Sequence, residues 1–294
     1  MTDAHTLTEQ LGGRWHGQYG VAPCPICQPE QRRGQNALTL SDSQDGRLLL
    51  HCKKSHCDFA SLIAAMKLTP GQYSPPDAAI LAQREQEARH ALRKRTAQAR
   101  RVWDEASPIG GTIAEVYLRS RGISCQLPST LRFHSACWHG ATTTRHPAMI
   151  ALVEGGLGFA IHRTYLSPNG SGKANIDPSK TMLGPVSGGA VRLSQGAGRL
   201  VVAEGIETAL SLSSGLLAGP MTLWAALSSS GLTALHLPGN PGVLTIASDG
   251  DDAGRQATHE LATRADALGW QVELLPAPDG RDWNDILNMK GDAA

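Results

Sequence analysis

Three short apolar runs in the last third of the chain each give way to acid. Leu200 to Ala203 is followed by Glu204-Gly205, Val243 to Ser248 by Asp249-Gly250-Asp251-Asp252, and Val272 to Leu275 by Gly280-Arg281-Asp282 and then Asp285. Runs of this length, separated by the helix-length segments Glu207 to Leu217 and Asp252 to Leu268, predict βα units and a parallel sheet. In such a sheet the carboxyl ends of the strands share one edge, where ligands bind. Glu204, Asp249, Asp251 and Asp282 are therefore expected to converge, although they lie up to 78 positions apart. Carboxylates gathered at one edge repel one another, and hard divalent cations such as Mg2+ relieve that repulsion. Helix capping or loop solvation explains each acid singly, but not their shared edge.

Upstream, the pattern changes twice. Ala37 to Ser41 and Arg47 to His51, with Asp45-Gly46 between them, predict a hairpin, and Phe59 to Met66 a short helix. Apolar periodicity then stops between Leu68 and Pro76, where Pro70, Gly71, Ser74, Pro75 and Pro76 mark a tether. Asp77 to Glu105 predicts one long helix carrying Arg84, Arg89, Arg93, Lys94, Arg95, Arg100 and Arg101. Such a charged face is either merely solvated or in contact with nucleic acid. Residues 106–198 are the least periodic part, and their pieces (Gly110 to Ile123, Leu131 to His134, His146 to Val153, Ile161 to Leu166, Lys180 to Gly184) predict short strands alternating with turns.

The net charge of +1 hides a division along the chain. Residues 1–76 carry 7 basic and 6 acidic side chains, residues 77–200 carry 16 and 8, and residues 201–294 carry 4 and 12. A basic middle segment beside an acidic one suits phosphoryl transfer on a template, with cations for nucleic acid and triphosphate and carboxylates for metals. No apolar run approaches the ~20 residues that span a bilayer, and the N-terminus lacks the pattern of a signal peptide. A cytoplasmic protein without membrane partners is expected.

In a reducing compartment the 6 cysteines point to metal or free thiols rather than disulfides. Cys24 and Cys27 form a CxxC knuckle, and Cys52 and Cys57 follow across the hairpin, a spacing that can close a tetrahedral site on Zn2+. Four residues lie between Cys52 and Cys57, rather than two or three, which leaves His56 as a rival to Cys57 for the fourth ligand. Cys125 and Cys137 have no partner at metal spacing and are expected as core or free thiols. Gly170-Ser171-Gly172-Lys173 fails as a phosphate loop, because position 167 is Ser167 and Ala174 follows the lysine. No other such motif occurs, so no helicase motor is expected in these residues.

Glu204-Gly205 and Asp249-Gly250-Asp251, each behind an apolar strand and followed by Asp282 to Asp285, resemble the Toprim domain of bacterial and phage primases, topoisomerases and some nucleases. The knuckle, hairpin and helix at the N-terminus resemble the zinc-binding domain of primases, where the ribbon selects template sequence. Residues 107–198 resemble the subdomain that precedes Toprim in primases of phages, plasmids and mobile elements. The resemblance implies an α/β chain: a zinc ribbon at 1–68, a linker and basic helix at 69–106, a mixed α+β catalytic subdomain at 107–198, and a Rossmann-like, mostly parallel Toprim domain at 199–294.

The same resemblance implies a DNA primase that makes short primers on single-stranded DNA from nucleoside triphosphates, with a separate replicative helicase as a further candidate partner. Asp249 and Asp251, helped by Asp282, would hold Mg2+ or Mn2+. Glu204 would take the hydroxyl proton or coordinate a second metal, and the two roles stay open. Arg132, Arg163, Lys173 and Lys180 would face the acidic edge and hold template or nucleotide. Many primases carry an aspartate four residues after the glutamate, where this chain has Thr208; Glu207, one place earlier, is an open candidate for that role, as is Asp285. A recombination mediator with zinc and Toprim modules but no catalysis, and a Toprim nuclease, are the alternatives. The few tyrosines (Tyr19, Tyr73, Tyr117, Tyr165) and the lack of a second large domain argue against a topoisomerase.

Overall fold

The computed structural model describes residues 2–32, 34–43, 45–69 and 72–291. Pro70 and Gly71 of the expected tether lie outside them. The chain divides into two compact units, Met1–Ala91 and Leu92–Ala294.

In the first unit, α1 (Ala4–Gln10) precedes β1 (Arg14–Trp15), β2 (Gly20–Ala22), β3 (Leu38–Asp42) and β4 (Leu48–Cys52), which form an antiparallel sheet in that order. α2 (Phe59–Ala65) follows, capped by the Asp58 carboxylate. Leu7, Leu38, Leu40, Leu62, Cys24 and Cys52 form the core. The stretch expected to be a tether is partly docked here, because Tyr73 pairs with Thr2 and its hydroxyl donates to Asp42 Oδ1 at 2.8 Å.

The long helix α3 (Ala78–Glu105) matches its expected bounds closely, but the unit boundary falls inside it. Its first half belongs with the ribbon, where Arg84 pairs with Asp3 at 2.6 Å. Its second half buries Ala99 and Trp103 in the second unit.

There, β5 (Ser107–Pro108) and α4 (Ile113–Ser120) lead into β6 (Leu131–His139), β7 (Thr144–Val153), β8 (Ala160–Tyr165) and β9 (Lys180–Leu183), and the five strands form an antiparallel sheet in chain order. The expectation of only strands and turns is corrected at α4. Ala114, Tyr117 and Leu118 recur at helical spacing and are buried, and Gly122, at φ 75°, ends the turn. One extra residue in β6 between His134 and Cys137 makes a bulge opposite β7.

The second sheet runs β10-β12-β11-β13-β14. β11 (Arg199–Ala203), β13 (Val243–Ser248) and β14 (Gln271–Pro276) are the three runs expected from the pattern, all parallel. Two strands were not anticipated: β12 (Met221–Ala225), parallel to β11, and the antiparallel edge strand β10 (Val191–Ser194). Strand β11 is buried on both faces, as parallel strands are. One face packs through α4, α5 (Ile206–Ser211) and α8 (Trp283–Gly291) onto the antiparallel sheet, with Met149, Ala151, Val201, Leu210 and Leu223 at the centre. The other face is covered by α6 (Ser229–Ala234) and α7 (Asp252–Ala267).

Met149 has no exposed surface and sits where the two sheets meet. Met149→Ala should destabilise the protein by about 2–5 kcal/mol, the range for large-to-small changes in a close-packed core; urea unfolding followed by circular dichroism measures it.

Candidate functional site: a carboxylate edge beside a lysine pair

The four cysteines are brought together. Cys24 and Cys27 lie on the turn after β2, Cys52 ends β4 and Cys57 precedes α2, and the four sulfurs all lie within 4.8 Å of one another. Cys24 Sγ is 3.9 Å from Cys57 Sγ, and Cys27 Sγ is 3.6 Å from Cys52 Sγ. A tetrahedron with Zn–S bonds of ~2.3 Å has edges of about 3.8 Å, so the residues fit zinc. His56 is exposed, with its ring against His51, and is not part of the cluster. The thiols are electrostatically uneven. Burial would raise Cys52, but backbone N–H groups of Ser55, Cys57 and Lys54 outweigh it and bring its pKa to about 6. Cys24 is raised, chiefly by burial. A bound cation would hold all four as thiolates.

The parallel sheet sets Glu204 and Asp249 side by side, since each follows directly on one of the adjacent strands β11 and β13, in register at Ala203 and Ala247. Asp251 caps α7, accepting from Gly254 N at 2.7 Å. Asp282 caps α8 in a reciprocal box: its Oδ1 accepts from Asp285 N at 2.8 Å, and its own N donates to Asp285 Oδ2 at 3.2 Å. Two of the four expected ligands thus also serve as helix caps, each with one carboxylate oxygen in the cap. Gly250 brings Asp282 across. Its N donates to Arg281 O at 2.8 Å and its O accepts from Gly280 N at 2.9 Å, and a β-carbon there would collide with Pro278 O. Asn284, fully buried, ties α8 to Ser211 Oγ of α5 at 2.9 Å and to Arg121 O at 2.8 Å.

The crowding has a chemical signature. Burial, then repulsion from Asp249 and Asp251, raises the Glu204 carboxyl. Burial and the charge of Asp282 push Asp249 up to about 6, against a hydrogen bond from Thr208 Oγ1 at 3.2 Å. Carboxylates that resist ionisation until a cation arrives suit a divalent metal. Among the described residues the four cysteines are the only group placed to hold a metal as it stands, so simultaneous ligation by these carboxylates would need side-chain rotation.

Glu207 does not face this edge. It is buried, with Tyr117 Oη donating to its Oε1 at 2.7 Å, Lys173 Nζ 3.5 Å from Oε1 and Lys180 Nζ 3.3 Å from Oε2. Burial alone would raise its pKa, but attraction from Lys180 and Lys173 and the tyrosine bond hold it well below the usual carboxylate range. Lys180 also lowers the pKa of both Asp249 and Glu204, so this lysine serves the acidic edge as well. His162, on the same sheet face and fully desolvated, is pushed down to about 4 by burial and then by Lys180.

Arg132 and Arg163 are not brought to the edge. They share a row across β6, β7 and β8 with Ile150, on the face covered by α3, whereas Lys180 pairs with Thr164 one residue along and points to the other face. Arg132 stacks on Trp103, its guanidinium carbon 4.2 Å from the ring centre, and donates to Trp103 O at 3.0 Å. Arg163 donates to Trp138 O at 3.2 Å. Tyr117 and Thr208, which touch the charged groups of the site, were not anticipated; only the position of Thr208 relative to Glu204 drew attention to it.

A parallel sheet bearing Glu-Gly after one strand and Asp-Gly-Asp after its neighbour defines the class. Residues 199–293 match the Toprim domain family, and the C-terminal part of this chain is a Toprim domain. Residues 93–193 match a domain of unknown function (DUF7146). No curated protein matches the chain in sequence. Among solved structures, the chain is similar to the zinc-binding and RNA polymerase domains of Aquifex aeolicus primase (15% identity, 98% of this chain and 80% of that one, TM-score 0.40). It is also similar to a DNA primase domain from Pseudomonas aeruginosa (16%, 67% and 75%, 0.39) and to the primase fragment of the bacteriophage T7 primase-helicase protein (15%, 92% and 93%, 0.37). Among the described residues no helix is long and apolar enough to cross a membrane.

Purified protein should carry about one zinc per chain, as a single four-sulfur site requires. Elemental analysis should show the metal lost in Cys57→Ser and kept in His56→Ala.

Asp249 gives a pH test. Its folded pKa of about 6 lies above its ordinary 3.8, so its contribution to stability is fully present below the lower value and is lost as pH rises through the upper one. In metal-free protein the wild type should therefore lose stability relative to Asp249→Asn between roughly pH 4 and 6. Mg2+ or Mn2+ should restore it in the wild type alone. Thermal melting across pH, with and without cation, checks both.

Proposed function

We propose that this protein is a DNA primase that joins nucleotides on a single-stranded template. One observation carries the reading: Lys180, from the antiparallel sheet, stands where it acts on the raised carboxylates of Glu204 and Asp249 while paired to Glu207. Acid for metal and ammonium for phosphate then meet at one edge. That combination suits attack of a 3'-hydroxyl on a triphosphate, in which negative charge grows on the leaving pyrophosphate.

A divalent cation bound here would lower the pKa of the attacking hydroxyl and steady the charge on the leaving group. Asp249, Asp251 and Asp282, with Glu204, are the residues that would hold it, each keeping an oxygen outside its cap or hydrogen bond. Glu204 can alternatively take the hydroxyl proton, since burial and its neighbours raise its affinity for one. Lys173 and Lys180, 34% and 39% exposed at their side chains, present ammonium groups to incoming phosphate. The four-cysteine ribbon would engage the template separately from the chemistry.

With single-stranded DNA, labelled nucleotides and Mg2+ or Mn2+, the wild type should extend product. Asp249→Asn and Glu204→Gln should each abolish incorporation while binding template at least as well, because the edge repels phosphate in the ground state. Shortening of the DNA would instead identify a nuclease, and full synthesis by Asp249→Asn would overturn the assignment.

A further inference from the structure

Among six tryptophans, Trp138 stands out with 46% of its surface exposed. It faces Arg145 across the β6–β7 ladder, and the Arg145 guanidinium carbon lies 5.9 Å from the centre of its ring. The bulge in β6 fixes this pair. Ala136 N donates to His134 Nδ1 at 3.1 Å, and Ala136 O accepts from Arg145 Nη1 at 3.0 Å, so both backbone groups of Ala136 in the bulge are satisfied by side chains. Trp138 O accepts from Tyr165 Oη at 2.7 Å and from Arg163 Nη1 at 3.2 Å. An exposed indole is thus set on an immobilised backbone, with a guanidinium beside it.

Its place on the sheet gives it a direction. By strand alternation Arg145 and Trp138 share a face with Met149, which lies in one row with Thr164 and Lys180. Lys173, opposite Leu166, falls between the two rows. The Trp138 row lies four positions along β7 from the Lys180 row, about 13 Å at the usual strand rise, and Trp138 and Lys180 are three strands apart, about 14 Å at the usual strand spacing. The two lysines beside the carboxylate edge and the aromatic ring flanked by arginine thus belong to one sheet face, on either side of the buried Met149 and Leu166. Cations for phosphates together with a π-face for a base are the elements of a single-strand track.

We propose that Trp138 and Arg145 form a stacking platform for an unpaired base of single-stranded nucleic acid approaching the carboxylate edge, an inference that rests on the primase reading. Binding would be measured with an oligothymidylate and with an abasic sugar-phosphate strand of equal length and charge. Trp138→Leu, which keeps apolar bulk without a π-face, should weaken oligothymidylate binding about 5- to 150-fold and leave the abasic strand unaffected. Trp138→Phe should lose less affinity, but should lose much of the tryptophan quenching that the strand causes in the wild type. Should Trp138→Leu not fold, Trp138→Phe and Arg145→Gln carry the same comparison. Equal weakening on both strands, or none, overturns the platform while leaving the primase reading intact. A wild type that binds neither strand removes the primase reading, and the platform with it.

Discussion

An ionised carboxylate taken out of water costs on the order of several kcal/mol unless charges and hydrogen bonds replace the solvent. Glu207 is such a group, and its replacements come from outside its own domain: Tyr117 from α4, Lys173 from the turn after β8, Lys180 from β9. The Toprim half supplies the acid and the antiparallel half supplies the partners. Sliding one half over the other would leave a buried charge bare, so the ion cluster sets the register of two apolar surfaces that could otherwise pack in several ways. That register brings Lys180 to Asp249 and Glu204. The carboxylate edge with its lysine is therefore assembled across two sheets, and the residue that aligns them is itself buried.

Strands β11 and β13 were legible because burial on both faces leaves a continuous apolar run that an acid ends, whereas the more exposed edge strand β14 was legible from its short apolar stretch and the acids that follow it. The cysteine spacing was legible for a similar reason, few residue types being able to satisfy that chemistry. β12 was missed because Met221 to Ala225 is short and follows Gly219-Pro220, which reads as loop. α4 was read as extended because the flanking Gly110, Gly111 and Gly122 dominate the pattern, whereas Tyr117 and Leu118 pack the helix against the neighbouring sheet. Arg132 and Arg163 show a different limit. Composition says that a segment is basic, but strand parity decides which face each charge takes, and the bulge and pairings that set parity are tertiary facts.

Asp251 and Asp282 show how a helix cap can leave a carboxylate oxygen open to a second partner. A carboxylate has more acceptor positions than a helix cap uses, and the cap fixes the rotamer while a second oxygen stays free. The closeness of the loop before Asp282 to Gly250 explains why the residue between the two aspartates is glycine, without appeal to the metal at all.

The single extra residue in β6 acts as a phase shifter. Before it, alternate side chains such as His134 lie on the α3 side; after it, Cys137 takes that side and Trp138 the other. In an unbulged strand of the same length the two would be exchanged, with a thiol turned outward and an indole driven into a space shaped for sulfur; deleting one residue between His134 and Cys137 would instead leave both on their present faces in a regular strand. The faces that Cys137 and Trp138 take are thus set by the bulge, not by alternation along the sequence.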